Sequence, residues 1–312
     1  MSSQGPMDVI YILSNGRSGS TLLDLLLGAH PRLWTLGEAH MLPWEVRWGG
    51  KCGCGVPHQV CDFWKPLLPV LPLEEQEVPV ELFRGDTPNG GGKVLRWSHL
   101  SSFARGQASG RWAQAARRYG EANQRYFELV LQAARQHKGE QVSALVDASK
   151  DPYRLLWLES SGLFNIKVVH LYKDPRAFVF SMTKSMLPRA AGKVARFTGR
   201  WMFENSLFSV MGKRTFGARM YHLRYERLAS DPEGTLADLG GFLGLPMPVG
   251  LSQSFRTADT HGVSGNKSRW ESSSVRLDQK WKSKLPRHYI SAVGAAAWPL
   301  RQVLDKINGH PR

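Results

Sequence analysis

Short, largely apolar runs alternating with helical sequence constrain this chain more than any other feature. Residues 9–13, 142–146, 166–171 and 218–223 are such runs, and each leads within a few residues into the start of a helix. The first is unbroken (Val9-Ile10-Tyr11-Ile12-Leu13), as expected for a strand buried on both faces. Helices are expected over 20–29, where His30-Pro31 stops the pattern, and over 111–136, where Trp112, Ala115, Tyr119, Tyr126, Leu129 and Ala133 fall near one face. Further helices open at Asp151-Pro152, at Asp174-Pro175 (aspartate as N-cap, proline as first helical residue) and at Ser230-Asp231-Pro232, and a last one spans 286–307. Strands separated by helices imply an α/β fold with a parallel sheet and right-handed crossovers. A stretch rich in Gly, Pro and Trp at about 44–110, broken at Asn89-Gly90-Gly91-Gly92, reads as a loop-rich insert of the kind that shapes a substrate pocket.

Ligands of parallel sheets lie at the carboxyl ends of the strands. Arg17 follows the first run, Lys150 the second, Lys173 the third and Tyr225 the fourth, so three basic groups fall where an anion would bind. In Gly16-Arg17-Ser18-Gly19-Ser20-Thr21 the glycines let backbone approach an anion. The amides of Gly19, Ser20 and Thr21 open a helix N-terminus, and Arg17 adds a permanently charged fork. The loop departs from Gly-x-x-x-x-Gly-Lys-Ser/Thr, because its basic residue precedes the second glycine.

The net charge of +15 over 312 residues implies an anionic partner: a nucleotide, an acidic or sulfated glycan, nucleic acid or a membrane surface. Three readings stay open on the residues alone: an enzyme acting on a phosphorylated nucleotide, a P-loop kinase or NTPase, and a basic glycan- or nucleic-acid-binding protein without catalysis. A kinase would need the Walker lysine and Mg²⁺ ligands. A surface binder predicts charge spread among aromatics, whereas these cations track strand ends, which argues against nucleic acid. No stretch approaches a membrane span, and Met1-Ser2-Ser3-Gln4-Gly5-Pro6 lacks the pattern of a signal peptide, so a cytoplasmic location is expected.

Cys52, Cys54 and Cys61 lie together. With His58 they could form a Cys₃His zinc site, and a loop disulfide or three plain thiols are the other choices. Cys-x-Cys is not the usual zinc spacing, and the expectation is of no metal.

The loop Gly16-Arg17-Ser18-Gly19-Ser20-Thr21-Leu22-Leu23 after a strand resembles the 5′-phosphosulfate loop of sulfotransferases that use 3′-phosphoadenosine 5′-phosphosulfate (PAPS). Lys173-Asp174-Pro175-Arg176 with Ser181 resembles their 3′-phosphate motif, with lysine in place of the first arginine. Leu36-Gly37-Glu38 is similar to the segment that carries the general base in tyrosylprotein and many carbohydrate sulfotransferases. His40 is the runner-up, since histidine serves in the cytosolic branch. Ser149-Lys150-Asp151-Pro152 resembles the segment whose lysine faces the sulfuryl group, and Tyr225-Glu226-Arg227-Leu228 the one whose tyrosine borders the nucleotide. The stretch 261–270 is similar to a late basic loop closing over the product PAP, with Asn266 and Arg269 as candidate contacts.

The resemblance implies a P-loop-like three-layer sandwich, a central parallel sheet flanked by helices, in one domain over 1–312 with the acceptor insert at about 44–110. It implies in-line transfer from PAPS to a hydroxyl or amine of a small-molecule or glycan acceptor, for which an acidic one suits the charge, with Glu38 as base. Arg17 and Lys150 would stabilise charge, Gly16 through Thr21 would hold the 5′ end and Lys173 with Ser181 the 3′-phosphate, and no metal would be required.

Overall fold

The structure, a computed structural model, describes residues 5–71, 111–187, 190–271 and 274–308. The part of the insert at 72–110, with its glycine break, lies outside the described residues. The fold is a three-layer α/β sandwich with a central parallel sheet flanked by helices. Its strands are β1 (Met7–Ser14), β2 (Leu33–Gly37), β3 (Ala144–Asp147), β4 (Phe164–Tyr172) and β5 (Met220–Arg224), in the order β2-β3-β1-β4-β5. Val9, Ile10 and Tyr11 of β1 register with Leu145, Val146 and Asp147 of β3.

The sequence reading assigns no strand to 33–37. That run starts two residues after Pro31 and ends on a glycine, so it resembles the tail of a helix stop. Its five residues are nevertheless all buried, and Leu33, Trp34 and Thr35 pair with Ala144, Leu145 and Val146. With β2 in place, Glu38 also follows the carboxyl end of a strand.

The helices that matter for the site are α1 (Ser20–Gly28), α2 (Arg111–Lys138), α3 (Pro152–Ser161), α4 (Pro175–Thr183), α5 (Ala191–Met211), α6 (Tyr225–Ser230), α7 (Pro232–Leu243) and α8 (Arg287–Ile307). The aspartate-proline starts behave as read. Asp151 accepts from the amides of Tyr153 and Arg154, Asp174 from that of Arg176 and Asp231 from that of Gly234. Helix α5 is a finding of the structure, since the sequence reading places no element over its span. Among the described residues no helix is long and apolar enough to cross a membrane.

The chain divides into two compact units. The first comprises Met1–Leu13, Thr21–Val168 and Gln253–Ser273. Its core gathers the buried side chains of β1, the leucines Leu23, Leu26 and Leu27 of α1, and Tyr119, Tyr126, Phe127 and Val130 of α2. Lys138, in the last turn of α2, donates to the carbonyls of Gly28, His30 and Leu33 at 2.6–2.9 Å, closing the turn between α1 and β2. The second unit comprises Ser14–Ser20, Val169–Ser252 and Ser274–Arg312. There Tyr172, Phe178, Val179, Trp201, Val293, Ala297 and Leu304 form one cluster that joins α4, α5 and α8.

Candidate active site

In the first unit the structure brings Glu38 and Lys150 together: the Lys150 ammonium donates to the Glu38 carboxylate, and both side chains remain partly exposed. Lys150 adopts left-handed backbone, φ 63°. Such a conformation is strained for a lysine and persists only where its surroundings enforce it. Here they do. Ser149 donates its amide to Asp147 Oδ1 at 2.9 Å. The Tyr11 hydroxyl donates to the Asp151 carbonyl at 2.8 Å and receives the Asp151 amide at 3.1 Å. Buried Arg154 in turn pairs with Asp147 and donates to the Tyr119 hydroxyl.

Glu38 is fixed through its backbone. Its amide donates to the Val263 carbonyl at 2.8 Å, and the Val263 amide donates to the Leu36 carbonyl at 2.8 Å. Gly37 between them has φ 64°, and a Cβ there would stand 2.3 Å from the Val263 carbonyl oxygen, so only glycine allows this approach. His40 donates its amide to Ser149 Oγ at 3.4 Å. Asp24 is buried, accepts from the Thr35 hydroxyl, and is pushed up to about 7 by burial.

The late loop belongs to the same unit. Asn266 donates its amide to Thr21 Oγ1 at 3.2 Å and accepts from the Ser268 amide at 3.0 Å. Arg269 donates to the carbonyl of Lys51 at 2.6 Å and to that of Ser264, so its guanidinium braces the loop itself. Ser264 is left-handed, φ 55°, like Lys150.

In the second unit the loop Ser14–Ser20 carries the other strained cation, Arg17, φ 71°. Among the described residues only Arg17, Lys150 and Ser264 are non-glycine residues with positive φ, and all three lie in segments that the sequence singles out. Buried Asn15 anchors the loop to α5: it donates to Glu204 and accepts from Asn205 at 2.7 Å. Asn205 also meets His170 at 3.0 Å. Sequence reasoning missed Asn15, Glu204 and Asn205, whose only signal was polarity inside apolar surroundings. The hydroxyls of Ser14 and Ser18 are buried without a hydrogen-bond partner among the described residues, which suits a ligand with acceptor oxygens.

Gly19, φ 95°, packs on Tyr225, whose Cδ2 would lie 2.3 Å from an added Cβ. Lys173 Nζ sits 4.2 Å from the centre of the same ring. Lys173 is 8% exposed, and burial holds its ammonium below the usual lysine range; a bound anion would offset that cost. Ser181 donates to the Phe178 carbonyl at 2.7 Å, so its hydroxyl must turn from that carbonyl to donate to an anion. Arg176 is committed to Asp174 by two hydrogen bonds at 2.9 and 2.7 Å.

The three cysteines come together, but not with His58. The His58 Nδ1 lies 2.7 Å from the Gly50 carbonyl, and the histidine that joins the sulfurs is His261. Two hundred residues separate it from Cys61 in sequence, which is why local spacing did not reveal it.

Residues 99–249 match the sequence pattern described as the sulfotransferase family, a span that takes in Lys150, Lys173, Ser181 and Tyr225. No curated protein matches the chain. Among solved structures, the sulfotransferase domain of the Synechococcus PCC 7002 olefin synthase is similar, with TM-score 0.53, 22% identity, and 95% of this chain and 97% of that one covered. The sulfotransferase domain from the curacin biosynthetic pathway is similar too, with TM-score 0.54, 20% identity, and 96% and 99% covered. At these identities the two likenesses show a shared fold over nearly the whole length. The match over residues 99–249 makes just under half of the chain similar to the sulfotransferase family.

Proposed function

We propose that the chain transfers a sulfuryl group from PAPS to the hydroxyl or amine of a small-molecule or carbohydrate acceptor. The acceptor oxygen or nitrogen attacks sulfur in line with the bond to the 5′-phosphate. That bond breaks, PAP leaves, and the acceptor proton passes to the Glu38 carboxylate. His40, two residues on, is the alternative base. The observation that carries the reading is the Lys150–Glu38 contact, made by a lysine held in strained backbone at a strand end. One group takes the proton and the other offsets charge on the sulfuryl oxygens.

Residue by residue, Gly16 through Thr21 supply amides and hydroxyls to the 5′ end, and Arg17 supplies charge that grows useful as the phosphate leaves. Lys173 and Ser181 take the 3′-phosphate, with Tyr225 beside the nucleotide. Asn266 shapes the late loop by capping its turn, and Arg269 braces it. The net charge of +15 suits an acidic acceptor.

Thermal stabilisation by PAP, 5′-AMP, ADP and ATP tests the reading. A ligand that binds only the folded state raises the melting temperature by mass action, so PAP should stabilise far more than the others. Equal shifts for PAP and 5′-AMP would remove the 3′-phosphate assignment, and a larger Mg²⁺-dependent shift with ATP would favour a kinase.

A further inference from the structure

Cys52, Cys54, Cys61 and His261 place three sulfurs and one imidazole nitrogen all within 4.8 Å of one another. None of the cysteines is in a disulfide. The Sγ atoms of Cys61 and Cys52 are 3.6 Å apart and those of Cys54 and Cys61 are 3.7 Å apart. The His261 Nδ1 is 3.6 Å from Cys52 Sγ and 3.1 Å from Cys61 Sγ. A tetrahedral zinc, with Zn–S about 2.3 Å and Zn–N about 2.0–2.1 Å, has sulfur–sulfur edges of about 3.8 Å and sulfur–nitrogen edges of about 3.5 Å. Three of these four edges lie within about 0.2 Å of that tetrahedron and the fourth, Nδ1 to Cys61 Sγ, is shorter, whereas a disulfide needs sulfurs about 2.0 Å apart.

The surroundings fit a metal ligand as well. The His261 ring lies nearly parallel to Phe63 and Trp34, with interplanar angles of 24° and 12°. Its backbone carbonyl accepts from the Trp64 indole at 2.7 Å. Asp259 Oδ1 stands 3.1 Å from Nε2, the far nitrogen of the ring. That is an ion-pair distance rather than an aligned hydrogen bond; a carboxylate on this side still favours the Nε2–H tautomer, which leaves Nδ1 for a metal. His137 holds the other oxygen of Asp259 at 2.6 Å.

We propose that Cys52, Cys54, Cys61 and His261 bind one structural zinc ion. Four protein ligands complete the tetrahedron and leave no open position, so the ion acts by holding structure rather than by activating water. It ties the segment 52–61 to His261, two residues before the Val263 that carries the Glu38 amide. The same two segments are joined by the Gly53 amide to the Gly262 carbonyl at 3.0 Å and by the Trp270 indole to the Gly53 carbonyl at 3.1 Å. This runs against the sequence expectation of no metal, and the reason is the histidine: its contribution comes from the far end of the chain.

The test uses full-length, tag-free protein purified without chelator. Elemental analysis should find about one zinc per chain, and protein expressed with Co²⁺ should show thiolate charge-transfer and intense tetrahedral d–d bands. Zinc affinity, read by competition with a chromophoric chelator, should fall more than about 10-fold for Cys54→Ser and His261→Gln, and about 10–100-fold for Asp259→Asn. His58→Gln should bind as the parent does. Native protein with under about a tenth of an equivalent of zinc and no cobalt bands would overturn the proposal, and so would a Cys52–Cys61 disulfide in its intact mass. Loss of zinc in His58→Gln with retention in His261→Gln would overturn the ligand set. The wild-type metal and cobalt readouts stand even where a variant fails to fold.

Discussion

Arg154 and Asp147 form an ion pair at 2.8 Å in which the side chains are only 2% and 0% exposed. The pair joins the end of β3 to the first turn of α3 and so sets the path of the chain through Lys150. Removing one partner leaves a buried charge alone, so Arg154→Met should cost about 3–5 kcal/mol in a urea titration. A cost below about 1 kcal/mol would mean that water already reaches the pair.

Gly19→Ala meets both a left-handed backbone and the Tyr225 ring. The expected cost is about 1–3 kcal/mol of stability, together with loss of the PAP-induced rise in melting temperature. An unaltered PAP shift would show that the loop does not hold the donor.

Lys173→Met should weaken PAP binding about 10–100-fold and 5′-AMP binding much less, since it removes a charged hydrogen bond to the 3′-phosphate, while the cation–π contact to Tyr225 that it also removes bears on both nucleotides alike. Calorimetry with both nucleotides reads the difference. Equal losses would move Lys173 away from the 3′ position.

Glu38→Gln should lower turnover about 10²–10⁴-fold with the PAP-induced stabilisation intact. Full activity in this variant would shift the base to His40.

Asp24 gives a pH signature. Burial is the largest cause of its rise to about 7, opposed by the Thr35 hydroxyl and the Lys150 charge. Between about pH 4 and pH 7 the folded chain keeps a proton that the unfolded chain has released. The carboxyl therefore stabilises the fold below that window, and this contribution is lost as the pH rises through about 7. Asp24→Asn, which stays neutral, should be more stable than the parent at about pH 8 by on the order of 1–3 kcal/mol, with the gap narrowing as the pH falls and closing near pH 4. Urea midpoints at the two pH values check it, and a gap that widens toward acid would reverse the assignment.

What was legible in the sequence was local. Asp151-Pro152, Asp174-Pro175 and Ser230-Asp231-Pro232 announce helix starts because cap and ring geometry act within three residues. The four apolar runs announce strands by the same short-range logic. Strand β2 was hidden because Leu33 to Gly37 is short and wedged between a proline and a glycine. The strain at Arg17 and Lys150 was hidden too, since nothing in an arginine or lysine marks a left-handed backbone. His261 shows the limit most plainly. The nearer histidine, His58, lay within the same short segment as the cysteines, while packing against Trp34 and Phe63 brings the distant one to the sulfurs.

The Glu38 amide waits for a carbonyl that lies 225 residues further along the chain, at Val263. During synthesis, Glu38 and the loop at 14–20 emerge early, yet the backbone contact that fixes Glu38 forms only after the last quarter of the chain has begun to appear. Contacts of such long sequence separation slow folding, because a long loop must close before they form. A nascent chain that has reached only residue 250 thus carries Glu38 without the backbone contact that fixes it.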